Sequence, residues 1–104
     1  MRKHKTALVT GASSGLGREF SLILAQKKYD IVAVARSESK LNSLKNELEK
    51  GGVTVYVCPV DLSVPDAALK VLDYTKQHGL TIDVLINNAG FGDAGNFAEA
   101  DWEK

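Results

Sequence analysis

Three glycines follow a short apolar run near the start of the chain. Gly11, Gly15 and Gly17 come after Ala7-Leu8-Val9 in the spacing G-x-x-x-G-x-G. Glycines let a backbone turn sharply and let a bulky anion approach without Cβ atoms in the way. A helix that starts here would direct its free N–H groups and the positive end of its dipole at that anion. The spacing therefore predicts a diphosphate site and a dinucleotide ligand, with an ordinary glycine-rich turn as the alternative.

Arg36 lies at the end of a second apolar run, residues 31–35. A dinucleotide site that selects NAD places a carboxylate about twenty residues beyond the glycines, where it binds the ribose hydroxyls. Neither Ala35 nor Arg36 has a carboxylate. The guanidinium of an arginine can instead bind a 2′-phosphate through two hydrogen bonds. Arg36 therefore predicts NADP (NADPH) as the preferred cofactor over NAD. A solvated arginine at a helix entrance is the alternative.

Apolar and amphipathic segments alternate along the whole chain. Strands are predicted at residues 6–10, 31–35, 53–60 and 83–87. Helices are predicted to end near Lys28, at Gly51 and at Gly79, and a fourth helix is predicted over residues 98–104. The second helix has Ser37 or Ser39 as candidate N-caps, and the third starts near Pro65. This alternation predicts an α/β fold with a Rossmann-like, doubly wound parallel sheet and helices on both faces.

Composition limits the classes of partner. The chain has 104 residues, 44% of them apolar, which predicts a single domain over residues 1–104. Its 13 basic and 13 acidic residues cancel, so no basic surface for nucleic acid is expected. No apolar run approaches the length of a membrane span. Cys58 stands alone in an apolar run, which indicates a buried thiol in a reducing, cytoplasmic setting. Neither His4 nor His78 is a convincing ligand or base, and no metal site is predicted.

Three motifs, taken in their order, resemble those of the short-chain dehydrogenases/reductases. Residues 10–17 match the family's T-G-x-x-x-G-x-G, Asp61-Leu62 matches its landmark after the third strand, and residues 87–90 read N-N-A-G. The resemblance covers essentially the whole chain. It implies a dinucleotide-binding half of an oxidoreductase that moves hydride between NADP(H) and an alcohol or carbonyl substrate. It also implies the strand order 3-2-1-4.

The resemblance implies a set of cofactor-binding residues. They are Gly11, Ser13, Ser14, Gly15, Leu16, Gly17, Arg36, Asp61, Leu62, Asn87, Ala89 and Gly90. The glycine loop would wrap the diphosphate, Asp61 would accept a hydrogen bond from the adenine amino group, and Leu62 would pack on the ring. Residues 87, 89 and 90 would line the pocket beside the adenosine ribose.

Several of these residues also have structural interpretations. Gly17 could serve helix–strand packing rather than ligand contact. Asp61 or Ser63 could cap the third helix. Asn87 would also tie neighbouring strands together, and Thr10 would do similar work. Ser14 occupies a loop position that is often basic in NADP-preferring relatives, whereas Arg18 and Ser37 could assist at the phosphate.

The family's catalytic Tyr-x-x-x-Lys pair has no match here. The residues four positions after the tyrosines are Ala33, Val60 and His78, after Tyr29, Tyr56 and Tyr74. We therefore assign no catalytic residue and expect the N-terminal half of a longer enzyme, cut at the start of the fourth helix and inactive alone. The alternatives are a stand-alone NADP(H)-binding or sensing module and a folded remnant that binds nothing. An exposed fourth strand predicts a homo-oligomer, formed through that edge or the adjacent helices.

Overall fold

The fold alternates strands with helices, as the sequence predicts. The computed structural model describes residues 3–88. Its elements are β1 (Thr6–Thr10), α1 (Gly15–Gln26), β2 (Asp30–Ala35), α2 (Glu38–Glu49), β3 (Val55–Pro59), α3 (Ala67–Gln77) and β4 (Val84–Ile86). The strands form one parallel sheet in the order β3-β2-β1-β4, which confirms the α/β class and the strand order. The fourth helix, predicted over residues 98–104, lies outside the described residues.

Two apolar layers hold helices against the sheet. Successive strand residues point to opposite faces, so Ala7 and Val9 belong to one buried cluster and Leu8 to the other. The first cluster includes Leu41, Leu44 and Leu48 of α2 and Ala25 of α1. The second includes Ala67 and Val71 of α3. Helices therefore cover both faces, as expected of a doubly wound sheet.

The starts of α2 and α3 settle two predictions about helix caps. Ser37 precedes α2, and its hydroxyl accepts a hydrogen bond from the backbone N–H of Lys40 at 3.4 Å. Ser37 rather than Ser39 is therefore the N-cap. α3 begins at Ala67 after Asp66, so neither Asp61 nor Ser63 caps it, and the capping interpretation of those two residues is wrong.

The fourth strand is shorter than predicted and lies at the edge of the sheet. Asp83 precedes it, and its carboxylate accepts the N–H of Thr6 at 2.8 Å. The three residues of β4 pair with β1 on one side and are all partly exposed. Association of copies through this edge stays a prediction.

Cys58 is expected to resist alkylation in the folded chain. Its thiol is buried in β3, and burial raises the pKa of Cys58 to about 12. Because the thiolate is the nucleophile, only about one thiol in ten thousand would be reactive at pH 8. Iodoacetamide labelling followed by mass spectrometry should leave the native chain unmodified and modify the urea-unfolded chain once, since the sequence has a single cysteine. Equal labelling of both forms would contradict the burial.

Candidate functional site

The loop between β1 and α1 follows a path that glycine favours. Gly11 and Gly15 have φ angles of +63° and +56°, in the left-handed region where a Cβ is strained. Between them, the N–H of Ala12 donates to the carbonyl of Val34 at 3.1 Å, which attaches the loop to β2. The loop is thereby held across the carboxyl ends of the two central strands.

Gly17 has a packing role that differs from that of Gly15. A Cβ placed on Gly17 would overlap the carbonyl oxygen of Gly11 and lie 2.5 Å from its carbonyl carbon. A Cβ placed on Gly15 would meet nothing within 4 Å. Gly17 therefore has a packing role, although it lets α1 approach the loop backbone at Gly11 and not a strand as the packing interpretation predicted. Gly15 faces open space from which a ligand can approach.

The start of α1 lacks its own capping groups. Ser14 is the N-cap residue but makes no side-chain capping hydrogen bond, and the first turn holds no acidic residue. The N–H of Arg18 donates to the carbonyl of Ser14 at 3.3 Å. The backbone N–H groups of residues 15–17 come before that of Arg18 and have no carbonyl partner within the helix. Together with the helix dipole, they suit an anion.

A cleft of about 350 Å³ joins residues that lie far apart in the sequence. Its lining consists of Gly11, Ser13, Ala35, Arg36, Val60, Asp61, Leu62 and Ser63. The structure therefore brings together the glycine loop, the basic residue after β2 and the acidic residue after β3. The other predicted residues Ser14, Gly15, Leu16, Gly17 and Asn87 lie outside this lining. Three lining residues were not predicted as site residues: Ala35, Val60 and Ser63.

The carboxylate of Asp61 is held in a local turn. Its Oδ1 accepts hydrogen bonds from the hydroxyl of Ser63 at 2.7 Å and from the N–H of Ser63 at 3.0 Å. These hydrogen bonds, and then the charges of Arg36 and Lys70, lower the pKa of Asp61. A group that is ionised at neutral pH is purely a hydrogen-bond acceptor, which is the chemistry that an amino group on an adenine ring requires.

Leu62 has its side chain in the core. It is 9% exposed and belongs to the cluster that packs beneath α3, with Ala67 and Val71. It also forms part of the cleft wall. Its contact with an adenine ring stays a prediction, and burial limits that contact to the small part of Leu62 that remains accessible.

Asn87 is tied to the neighbouring strand, as the resemblance implied. The hydroxyl of Thr10, at the end of β1, lies within hydrogen-bond distance of the carbonyl of Ile86 (3.4 Å) and of Oδ1 of Asn87 (3.2 Å). Because both partners are acceptors, the Thr10 hydroxyl is the donor. Ala89 and Gly90, predicted beside the ribose, lie outside the described residues.

The sequence matches a known protein family over almost its whole length. The family model for short chain dehydrogenase matches residues 5–104. The chain belongs to the short-chain dehydrogenase family.

Family relatives are similar along most of this chain. An uncharacterized oxidoreductase of Myxococcus xanthus is 37% identical over 101 residues, covering 97% of this chain and 40% of that protein. A very-long-chain 3-oxoacyl-CoA reductase of Candida glabrata is 40% identical over 85 residues, covering 81% of this chain and 24% of that protein. The chain thus spans less than half the length of these relatives.

Solved structures of this family share the fold. L-sorbose reductase from Gluconobacter frateurii, complexed with NADPH and L-sorbose, superimposes with a TM-score of 0.79 at 34% identity over 86% of this chain and 34% of that one. A short-chain dehydrogenase from Sphingobium yanoikuyae in complex with NADPH gives 0.74 at 37% identity over 83% of this chain and 34% of that one.

The two histidines lie at the other end of the strands, where His4 and His78 line one cleft with Thr6 and Asp30, the first residues of β1 and β2. Nδ1 of His4 lies 3.0 Å from Oδ1 of Asp30, and Nδ1 of His78 lies 2.8 Å from the carbonyl of Tyr74. Since each partner is an acceptor, Nδ1 is the donor in both hydrogen bonds. Within residues 3–88, no three metal-ligating side chains form a group that could hold a metal ion. No helix in the same range has the length and apolar character needed to cross a membrane.

Proposed function

We propose that this chain is the cofactor-binding portion of an NADP(H)-dependent short-chain dehydrogenase/reductase, organised as one domain over residues 1–104. The full enzyme would transfer hydride between NADP(H) and an alcohol or carbonyl substrate. One observation carries the proposal: Arg36 lines the same cleft as the glycine loop, and neither Ala35 nor Arg36, at the end of β2, is acidic. Solved relatives that hold NADPH or NADP support it.

The donor groups present fit the parts of such a cofactor. The loop from Gly11 to Gly17 and the N–H groups at the start of α1 would hold the diphosphate, with Ser13, Ser14 and Leu16 beside it. Arg36 would bind the 2′-phosphate through its planar guanidinium. When bound, the nicotinamide supplies the hydride chemistry.

Adenosine would lie at the other end of the cleft. Asp61 would accept the adenine amino group, and Leu62 would contact the ring. Asn87 would border the ribose, and the resemblance adds Ala89 and Gly90 there. Each of these residues binds or orients the cofactor, and none of them moves a proton.

Reduction of a carbonyl also needs a proton donor. No Tyr-x-x-x-Lys pair occurs in the 104 residues. The proposal is therefore that this chain binds NADP(H) and does not by itself turn over a substrate.

Calorimetric titration of the 104-residue chain tests this function. We expect NADP⁺ to bind at least about ten-fold more tightly than NAD⁺, since one charge-assisted hydrogen bond is worth about that ratio. The probes 2′,5′-ADP and 5′-AMP should show the same preference, because they carry only the adenosine end. Lys76→Ala, in the last turn of α3 and outside the cleft lining, is the matched control and should change neither affinity.

Two results would count against the proposal in different ways. Equal affinity for NADP⁺ and NAD⁺ would contradict the proposal that Arg36 binds a 2′-phosphate. No binding of any of the four ligands would overturn the cofactor site itself.

A further inference from the structure

We infer that Ser63 is a positioning residue that fixes the Asp61 carboxylate and thereby selects adenine over hypoxanthine at the base end of the cofactor. The inference rests on the proposed function, because it concerns the same cleft. Ser63 belongs to none of the three family motifs that identify the site, and the sequence offered it only as a helix cap, which the structure rules out.

The geometry of the turn gives Ser63 this role. Both of its hydrogen-bond donors, the hydroxyl and the backbone N–H, point at the same oxygen of Asp61, at 2.7 and 3.0 Å. A carboxylate held by two donors on one oxygen cannot rotate freely about its last torsion. Among residues 3–88, none donates a hydrogen bond to the other oxygen, Oδ2. Ser63 therefore occupies Oδ1 and leaves Oδ2 able to accept a hydrogen bond from a ligand in the cleft that both residues line.

Charge in the cleft supports the same selection. Hydrogen bonds to the ionised form of a carboxyl lower its pKa, and Ser63 provides the largest such effect on Asp61. An ionised carboxylate accepts hydrogen bonds and cannot donate one. The exocyclic amino group of adenine is a donor and matches it. Hypoxanthine carries a carbonyl oxygen at that position, so two acceptors would face each other.

The experiment compares NADP⁺ with its deaminated analogue, nicotinamide hypoxanthine dinucleotide phosphate, on the full 104-residue chain. We expect Ser63→Ala to reduce the preference for NADP⁺ by about three- to ten-fold, the worth of a typical net hydrogen bond, because the carboxylate loses one of its two orienting contacts while the backbone N–H remains. Ser63→Thr keeps a hydroxyl and should restore the preference. Asp61→Asn, whose amide can donate to a carbonyl, should reduce the preference further than Ser63→Ala does.

A control and a second measurement separate a positioning role from a general loss of structure. Ser43→Ala, at an exposed serine of α2, should leave the preference unchanged. In the free chain, carbon-13 NMR titration of the Asp61 carboxyl should show a higher pKa in Ser63→Ala than in the parent and in Ser63→Thr. This readout does not depend on cofactor binding.

The possible results distinguish failure of this inference from failure of the proposed function. Binding of NADP⁺ with the same preference in the parent and in Ser63→Ala overturns the inference and leaves the proposed function standing. An unchanged Asp61 titration in Ser63→Ala also overturns it. Failure of the parent chain to bind either dinucleotide overturns the proposed function and, with it, the role of Ser63 toward a base.

Discussion

Gly17→Ala is expected to lower the free energy of unfolding by about 3 kcal/mol, the upper end of the usual cost of overpacking a well-packed site. The added methyl group would overlap the carbonyl oxygen of Gly11, which belongs to the backbone and has no other rotamer to adopt. The loop cannot easily retreat, because Ala12 is hydrogen-bonded to Val34 of the neighbouring strand. Either α1 must move away from the loop or that hydrogen bond must lengthen.

Gly15→Ala is the matched control for this substitution. It adds the same methyl group two residues away, where nothing lies within 4 Å, so only the strain of the φ angle of +56° remains. That strain costs about 1–2 kcal/mol. Urea denaturation followed by circular dichroism should therefore show a smaller midpoint shift for Gly15→Ala than for Gly17→Ala. Equal shifts would mean that backbone strain, rather than close approach, explains both glycines.

The fold was predictable where the strands are buried on both faces. β1 and β2 are continuous apolar runs that meet helices above and below the sheet, which is the pattern of a buried parallel strand. β3 was predicted two residues too long at its start because Val53 and Thr54 continue the β-branched run. The N–H of Thr54 instead donates to the carboxylate of Asp30 at 2.8 Å. The partner of this N–H group at the start of β3 is a side chain 24 residues away, and a local pattern cannot contain that information.

The sequence predicted which motifs form the site better than it predicted the contacts that their residues make. Arg36 and Asp61 are recognisable because each follows a strand, and the carboxyl ends of parallel strands meet at one edge of the sheet. Ser63 was not recognised as part of the site, since its role depends on the backbone turning back within two residues. The D-x-S pattern of an Asx turn is the signal that could have found it. The burial of Leu62 likewise depends on where α3 lies against the sheet.

Arg36→Glu is expected to reverse the cofactor preference proposed for this chain. Removing a guanidinium that binds a 2′-phosphate costs about 1.5–3 kcal/mol, or roughly ten- to hundred-fold in affinity. The glutamate would add repulsion of the phosphate and would offer NAD⁺ an acceptor for its ribose hydroxyls. We therefore expect NADP⁺ affinity to fall by at least about 100-fold while NAD⁺ affinity holds or rises, measured by calorimetry.

A graded series at the same position separates charge from geometry. Arg36→Lys keeps the charge without the two-pronged geometry, and Arg36→Ala removes both without repulsion, so NADP⁺ affinity should fall in the order Arg, Lys, Ala, Glu. Arg36 also contributes to the lowered pKa of Asp61, after the hydrogen bonds from Ser63. NAD⁺ affinity in Arg36→Ala controls for that coupling, because NAD⁺ carries the same adenine and lacks the 2′-phosphate. A parallel loss of both cofactors across the series would show that Arg36 acts through Asp61 rather than on a phosphate.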